Sequence, residues 1–406
     1  MKSLSLFTII LLCFAILIVD IMAYYWLQSI TQLIDSIFLS VSIHVLFWVF
    51  TFGLITSILV LKVTLDDISP IRKHLLISRF YGLAILSFIP KLIFVIIISI
   101  LYFTNFILSD SKSLIIVPIA GLFSGFLPFF VILYGILKAK YRFKIHHHII
   151  RSKLLPKSFD GLKIVQISDL HIGSFNYRYK KLELAIEKIN ALKPDYIFIT
   201  GDLVNNYAWE LRGWDKIFKK MKSKKGKYAI LGNHDYGDYS QWETPKAKQA
   251  NFEAIQQFYK TIDFRLLLNE ADLISNNIDK IAIIGIENWG KPPFKQYGDL
   301  HRALVNVKAI PFKILLSHDP THWAEEVKDK TDITLTLAGH THGMQAAFQY
   351  KKLQWSPIKY KFKYWAGLYK HNKQFLYVNR GLGWLGFPAR IGMRPEITFL
   401  ELKTKM

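Results

Sequence analysis

The sequence predicts an α/β layered domain preceded by four transmembrane α-helices. Three observations carry that expectation. Four long apolar blocks fill the first third of the chain, strand-like runs alternate with amphipathic helices from about residue 160, and five of those strands end in hydrogen-bonding or metal-ligating residues.

The 406-residue chain is 51% apolar and 15% aromatic, too rich in both for a wholly soluble protein, so part of it is expected in a membrane. Its single cysteine, Cys13, lies in an apolar run, which excludes an internal disulfide and a Cys-rich zinc site. Any metal must therefore be held by His, Asp, Glu or Asn.

The apolar content is concentrated in residues 4–26, 37–61, 80–108 and 113–137. Each block is long enough to cross about 30 Å of hydrocarbon as a helix. The first block lacks a small-residue cleavage site and three more spans follow, so it reads as an uncleaved helix rather than a signal peptide. Lys2, the Lys62/Arg72/Lys73/Arg79 loop and the Lys138/Lys140/Arg142/Lys144 exit are basic, whereas the alternate loops carry little besides Asp35, Asp110 and Lys112. This asymmetry orients both termini and all that follows the fourth span toward the cytoplasm. Asp20 and Lys91 are costly in hydrocarbon and are expected to be relieved by snorkelling near helix ends or beside Pro90.

Residues 1–140 thus form the membrane region, residues 141–158 a basic juxtamembrane linker, and residues 159–406 the folded domain. The linker contains His146, His147 and His148. Three consecutive side chains cannot converge on one ion from a helix or a strand, so contact with anionic headgroups is the expectation. Beyond it, LKIVQIS, DYIFIT, GKYAIL, KIAIIGI, FKILLS, ITLTLA, FLYVN and EITFLEL read as strands. YRYKKLELAIEKINAL and WELRGWDKIFKKM read as helices.

The residues after the strands are more telling. LKIVQIS precedes Asp169-Leu170-His171, DYIFIT precedes Gly201-Asp202, and GKYAIL precedes Gly232-Asn233-His234-Asp235. FKILLS precedes His318-Asp319, and ITLTLA precedes Gly339-His340-Thr341-His342-Gly343. A lone histidine is ordinarily a satisfied core residue, but five strands delivering such residues to one sheet edge suit a two-metal centre. Such a centre needs a bridging carboxylate, neutral imidazoles, oxygen ligands and open positions for water and a substrate phosphate. The glycines before Asp202, Asn233 and His340 permit tight turns and close backbone approach.

The ordered blocks SDLHIG, TGDLV, LGNHDY, LLSHDP and AGHTHG resemble the signature blocks of the calcineurin-like metallophosphoesterase superfamily, over roughly residues 160–402. The ending YVNRGLGWLGFPARIGMRPEITFLEL is similar to that of a bacterial membrane-anchored branch. The resemblance implies a layered β-sandwich flanked by helices and a pair of divalent ions (Mn, Fe or Zn). It implies that Asp169, His171, Asp202 and His342 bind the first ion. Asp202 would bridge to a second ion held by Asn233, His318 and His340. His234 would stand beside the phosphate as general acid. Alternation along an extended LAGHTHG segment is expected to let both histidines face the ions.

Two departures from the family pattern stand out. Asn205 occupies the position where many relatives carry an Asp that orients the catalytic His, with Asp235 a possible substitute, and Met344 replaces a common second glycine. For Arg380 and Arg390, phosphate binding and a structural role are both open.

The formal charge of +22 resides mostly outside the membrane region, so a bilayer and nucleic acid are both electrostatic partners in principle. The tether to the membrane favours the bilayer, and nucleic acid is not expected. Residues 350–373 mix Lys with Trp, Tyr and Phe as interfacial segments do. Trp384, Leu385 and Phe387 read either as a rim for a lipid tail or as core.

The resulting expectation is a phosphohydrolase of the bacterial inner membrane, with its catalytic domain cytoplasmic, cleaving a phosphoester or pyrophosphate. The favoured substrate is a lipid-linked pyrophosphate such as UDP-2,3-diacylglucosamine. A general phosphodiesterase or phosphatase on soluble nucleotides is the alternative, and a non-catalytic membrane sensor or transporter a third reading. Oligomeric state is not encoded legibly.

Overall fold

The computed structural model describes residues 5–64, 68–108, 113–276, 278–350 and 353–405. Lys2, Asp110, Lys112 and the Lys351-Lys352 pair of the aromatic stretch lie outside them. The chain forms two compact units. One is Lys2–Lys138 with Gly386–Ala389, the other Ala139–Leu385 with Arg390–Met406.

The first unit contains α1 (Leu6–Thr31), α2 (Ile37–Thr64), α3 (Pro70–Leu108) and α4 (Ser113–Leu137). All four carry spans long and apolar enough to cross a membrane. Apolar side chains cover most of their outer surface, as a lipid solvent requires. Asp20 and Lys91 do not snorkel. Asp20 on α1 is fully buried, its Oδ2 accepts from Lys91 Nζ on α3 at 2.8 Å and from Thr51 Oγ1 on α2 at 2.5 Å, and Lys91 also stands 4.6 Å from the Phe47 ring. The two charges satisfy each other between helices, which removes the need to reach an interface.

The second unit is a sandwich of two six-stranded sheets. Its strands are β1 (Lys144–Ser152), β2 (Leu162–Ile167), β3 (Tyr196–Thr200), β4 (Gly226–Ile230), β5 (Arg265–Leu266), β6 (Glu270–Asn276) and β7 (Asp279–Gly285). They continue as β8 (Lys313–Leu316), β9 (Leu335–Ala338), β10 (Phe348–Tyr350), β11 (Leu353–Trp355), β12 (Gly367–His371), β13 (Gln374–Val378) and β14 (Glu396–Thr404). One sheet runs β1-β14-β2-β3-β4-β5, the other β12-β13-β9-β8-β7-β6, and β10 and β11 form a separate hairpin.

Alternation along the strands divides the core into layers. Ile164, Phe198 and Ile230 of the first sheet meet Ile283, Ile314, Leu316 and Leu337 of the second in one buried cluster. The intervening residues Val165, Ile167, Ile197 and Ile199 face outward onto helices α5 (Tyr179–Ala191) and α7 (Pro245–Thr261), through Leu182, Ile186 and Ile255. Both faces of β2 and β3 are covered, so these strands read as continuous apolar runs.

Two expectations need correction. The expected basic juxtamembrane linker over residues 141–158 is largely part of the folded domain: Lys144–Ser152 is an edge strand, paired in parallel with β14 from Lys144 opposite Glu396 to Ser152 opposite Thr404. His147 lies beside Phe399 and His148 beside Tyr377, on opposite faces as the strand period requires. Burial pushes His146 down to about 4, so that ring is neutral. The expected helix over residues 209–221 is broken into a turn at Ala208–Leu211 and the single turn α6 (Asp215–Phe218). Gly213 between them has φ 75°, a left-handed conformation that ends a helix.

Candidate metal centre

Parallel strands β2, β3 and β4, and parallel strands β8 and β9, release their C-terminal ends at one place, the usual ligand edge of an α/β layer. Asp169, His171 and His342 present ligand atoms within 4.8 Å of one another, and so do Asp202, His318 and His340. Asp202 faces both groups, its Oδ2 lying 3.5 Å from His171 Nε2 and 3.2 Å from His318 Nε2. Nε2 of His171 and Nε2 of His342 are 3.0 Å apart, and Asn233 Oδ1 lies 2.8 Å from His340 Nδ1. The seven expected ligands therefore surround a common space.

The backbone is strained where it carries them. Asp169, His171, Asp202, His340 and His342 all have φ between 43° and 71°, a region non-glycine residues rarely adopt. This corrects the expected route by which the paired histidines converge. His340 and His342 are left-handed and lie in a turn rather than on alternate positions of an extended segment. Gly339 makes the crossing possible, since a Cβ there would lie 2.0 Å from Ser168 Oγ and 2.3 Å from Asp169 Oδ2. Met344 also takes a positive φ of 56°, which explains why glycine suits that position, and its side chain is exposed.

Electrostatics favour a cation here. Burial pushes Asp169 up to about 6, with His318 opposing and Asp202 adding to the rise. Burial holds His171 at about 3 and His340 at about 4, so both are neutral and keep a lone pair for ligation. Burial would lower His318 too, but Asp202 outweighs it and raises that ring to about 10. Its Nδ1 donates to the Thr200 carbonyl at 2.7 Å, while the buried Nε2 makes no hydrogen bond among the described residues. Two buried carboxylates, the neutral rings of His171 and His340, and a His318 Nε2 whose proton Asp202 favours and a bound cation would displace form a donor set that fits divalent ions.

Surrounding contacts orient the ligands. Asp319 Oδ2, buried and without a hydrogen bond among the described residues, lies 3.5 Å from His340 Nε2 and is placed to fix that ring. Tyr239 OH accepts from Asn233 Nδ2 at 2.9 Å. Fully buried Arg390 donates to the backbone carbonyls of Arg380, Gly381, Gly383 and His342, cradling the final motif. Arg380 is buried against Glu396. Both arginines thus take the structural of their two open roles.

His234, half-buried, stands at the edge of this space with its ring 5.0 Å from that of His171. Its backbone N–H donates to Asp202 Oδ1, and its Nδ1 lies 2.7 Å from the carbonyl oxygen of Asn205. The main chain of Asn205 therefore holds the ring at the position where many relatives use an Asp side chain. Asp235 is used otherwise: its carboxylate accepts from the N–H groups of Asp202, Leu203, Val204 and Gly232. Trp384 is core, packed on Phe175 and Tyr141. In the aromatic stretch Phe362 and Trp365 are buried, whereas Leu353, Trp355 and Tyr360 are exposed, as is Phe348 just before it.

Residues 162–344 match the calcineurin-like phosphoesterase family, and residues 4–140 match a family described as a probable calcineurin-like phosphoesterase transmembrane domain. An uncharacterized metallophosphoesterase of Bacillus subtilis, YkuE, is 32% identical over 266 residues, which cover 63% of this chain and 84% of that one. The chain belongs to the calcineurin-like metallophosphoesterases. This family comprises metal-dependent phosphoester hydrolases, and the four membrane-spanning helices make this member an integral membrane protein. A transmembrane protein with metallophosphoesterase domain from Danio rerio is 30% identical over 66% of this metallophosphoesterase and 60% of its own length. An uncharacterized metallophosphoesterase of Campylobacter jejuni is 30% identical over 62% of each chain. The chain therefore spans less than two thirds of the length of these last two relatives.

Proposed function

We propose that the centre is dinuclear and hydrolyses a phosphoester or pyrophosphate bond. The observation that carries this reading is the single carboxylate of Asp202 facing both ligand groups. Asp169, His171, Asp202 and His342 would hold one ion, and Asp202, Asn233, His318 and His340 the other. Bound Mn, Fe or Zn ions supply Lewis-acid polarisation of the phosphoryl oxygens and an acidified water. The protein's own residues do the rest. The Asp202 carboxylate and the Asn205 carbonyl fix the backbone and Nδ1 of His234, which leaves Nε2 to donate a proton to the departing oxygen.

We further propose an amphiphilic substrate, a lipid-linked pyrophosphate such as UDP-2,3-diacylglucosamine, with the domain on the cytoplasmic side of a bacterial inner membrane. The supporting features are the four spans in the same chain, the basic residues Lys62, Arg72, Lys73 and Arg79, which lie at the adjoining ends of α2 and α3 rather than in a loop, and exposed Phe348, Leu353, Trp355 and Tyr360 near Lys359, Lys361 and Lys363 in sequence. The test is manganese-supplemented hydrolysis by detergent-purified protein, comparing that lipid with bis-p-nitrophenyl phosphate and with Asp202→Asn as control. Preference for the lipid, abolished in the variant, is expected. Cleavage of the diester alone would remove the lipid assignment, and equal turnover by Asp202→Asn would remove the dinuclear reading. A reporter fused after residue 140 that is active only outside the cytoplasm would overturn the orientation.

A further inference from the structure

Glu210 is a buried carboxylate that the proposed chemistry does not use, only 3% exposed and beneath the loop that leaves β3. Its Oε2 accepts the N–H of Asn205 at 2.7 Å, and its Oε1 accepts those of Asn206 and Tyr207 at 2.9 and 3.0 Å. The Gly173 N–H, from the loop that carries His171, is directed at the same group. Gly173 has no room for a side chain, since a Cβ there would lie 2.3 Å from Glu210 Oε2.

The Asn206 N–H and the Asn205 carbonyl belong to one peptide unit. Its N–H is given to Glu210, and its oxygen lies 2.7 Å from His234 Nδ1. We propose that Glu210 is a positioning residue for His234, acting through the peptide between Asn205 and Asn206. This rests on the reading of His234 as the proton donor to the leaving group. A negative charge at the N–H end of a peptide polarises its carbonyl, and a chain of hydrogen bonds strengthens each member. The carboxylate of Glu210 thereby does through one peptide what a directly bonded Asp does for a catalytic histidine. It orients the ring, keeps the proton on Nδ1 and stabilises the charged imidazole. Asn205 then needs no acidic side chain, because its contribution is main-chain.

A simpler role is also present. Glu210 closes a capping box on the turn it belongs to by accepting the Tyr207 N–H. That role needs one of the hydrogen bonds, not those of Asn205, Asn206 and Gly173. Burial pushes the carboxyl up to about 7, with the backbone N–H groups pulling the other way.

The test uses the metal-loaded full chain in detergent and a series of aryl methyl phosphodiesters of rising leaving-group pKa. Glu210→Gln keeps the shape but converts one acceptor oxygen into a donor, so it cannot receive all these N–H groups. The expected result is an unchanged KM and a kcat that falls roughly tenfold on the poorest leaving group while changing little on p-nitrophenolate. That is a fraction of the 10² to 10⁴-fold that general acid catalysis contributes. His234→Ala should steepen the same dependence further. A uniform loss across the series, tracking melting temperature or bound metal, would reduce Glu210 to a capping residue. If His234→Ala leaves the slope unchanged, the acid role of His234 fails and this proposal with it. If His234→Ala steepens the slope and Glu210→Gln does not, only the role of Glu210 fails. Should Glu210→Gln not fold, Glu210→Asp, which keeps the charge and shortens its reach, is judged by the same slope.

Discussion

Arg380 Nη1 and Glu396 Oε2 form an ion pair 2.5 Å long, with both side chains almost wholly buried. Tyr377 OH and Thr398 Oγ1 donate to the other oxygen, so the carboxylate is saturated where β14 begins. Burial alone would raise Glu396, but the Arg380 guanidinium, His146 and these hydrogen bonds outweigh it and hold the carboxyl at about 2. Its folded pKa lies below the ordinary value of 4.5, so the pair's contribution is fully present above about 4.5 and is lost as pH falls through about 2. The size is about 3 kcal/mol. Thermal unfolding across that window should show the acid-dependent loss in the native chain and a weaker one in Glu396→Gln, which starts less stable. Identical profiles would mean that the pair contributes nothing.

Removing metal should cost stability as well as activity. The centre holds Asp169 and Asp202 buried beside the neutral rings of His171 and His340, and Asp202 raises His318 to about 10, a proton that a bound ion would displace. Ligand bound at a thousand times its Kd stabilises by about 4 kcal/mol. Chelation should therefore lower the melting temperature by several degrees, and readdition should restore it. Metal analysis of variants separates the two positions. Asp202→Asn should lose both ions, whereas His171→Ala and His318→Ala should each lose mainly one. Full occupancy in Asp202→Asn would contradict a bridging role.

The candidate ligand set was legible because each member follows an apolar strand in a short block. Asp169, Asp202 and His318 are fixed by local sequence, and the parallel sheets bring the blocks together. What escaped depended on distant partners. Lys144–Ser152 is an edge strand with three consecutive histidines and a basic residue toward each end, and its pairing with β14, more than two hundred residues later, makes it a strand. Glu210 and Asp319 are outside the set expected as ligands, and their roles follow from which loop folds over them. The convergence of His340 and His342 was anticipated, but a left-handed backbone cannot be read from a histidine, so the geometry inferred for it was wrong. The helix expected over residues 209–221 was apolar at the right spacing, and Gly213 overrode it.

Asp235 immediately follows the proposed acid, yet its work is architectural. The carboxylate accepts four backbone N–H groups, tying the loop after β3 to the loop after β4. Burial, with Asp202 nearby, pushes its carboxyl up to about 7. Asp235→Asn replaces an acceptor by a donor among these amides and should cost about 1 to 3 kcal/mol. Activity should fall uniformly across leaving groups and in step with melting temperature, unlike the effect expected of His234. A steepened leaving-group dependence in Asp235→Asn would instead put it in the proton path.

The Asp20–Lys91 pair makes a prediction for the membrane unit that needs no assay of hydrolysis. Asp20, Thr51 and Lys91 come from three successive spans, and Asp20 is fully buried among them. Removing one member strands an opposite charge in hydrocarbon, while removing both leaves only a packing change. Lys91→Met and Asp20→Leu should each destabilise the detergent-solubilised protein by about 3 to 5 kcal/mol. The double variant should recover most of that loss. The difference between its stability and the sum of the single effects measures the coupling directly. Additive losses would show that the two side chains do not interact, and that each is accommodated separately by water or headgroups.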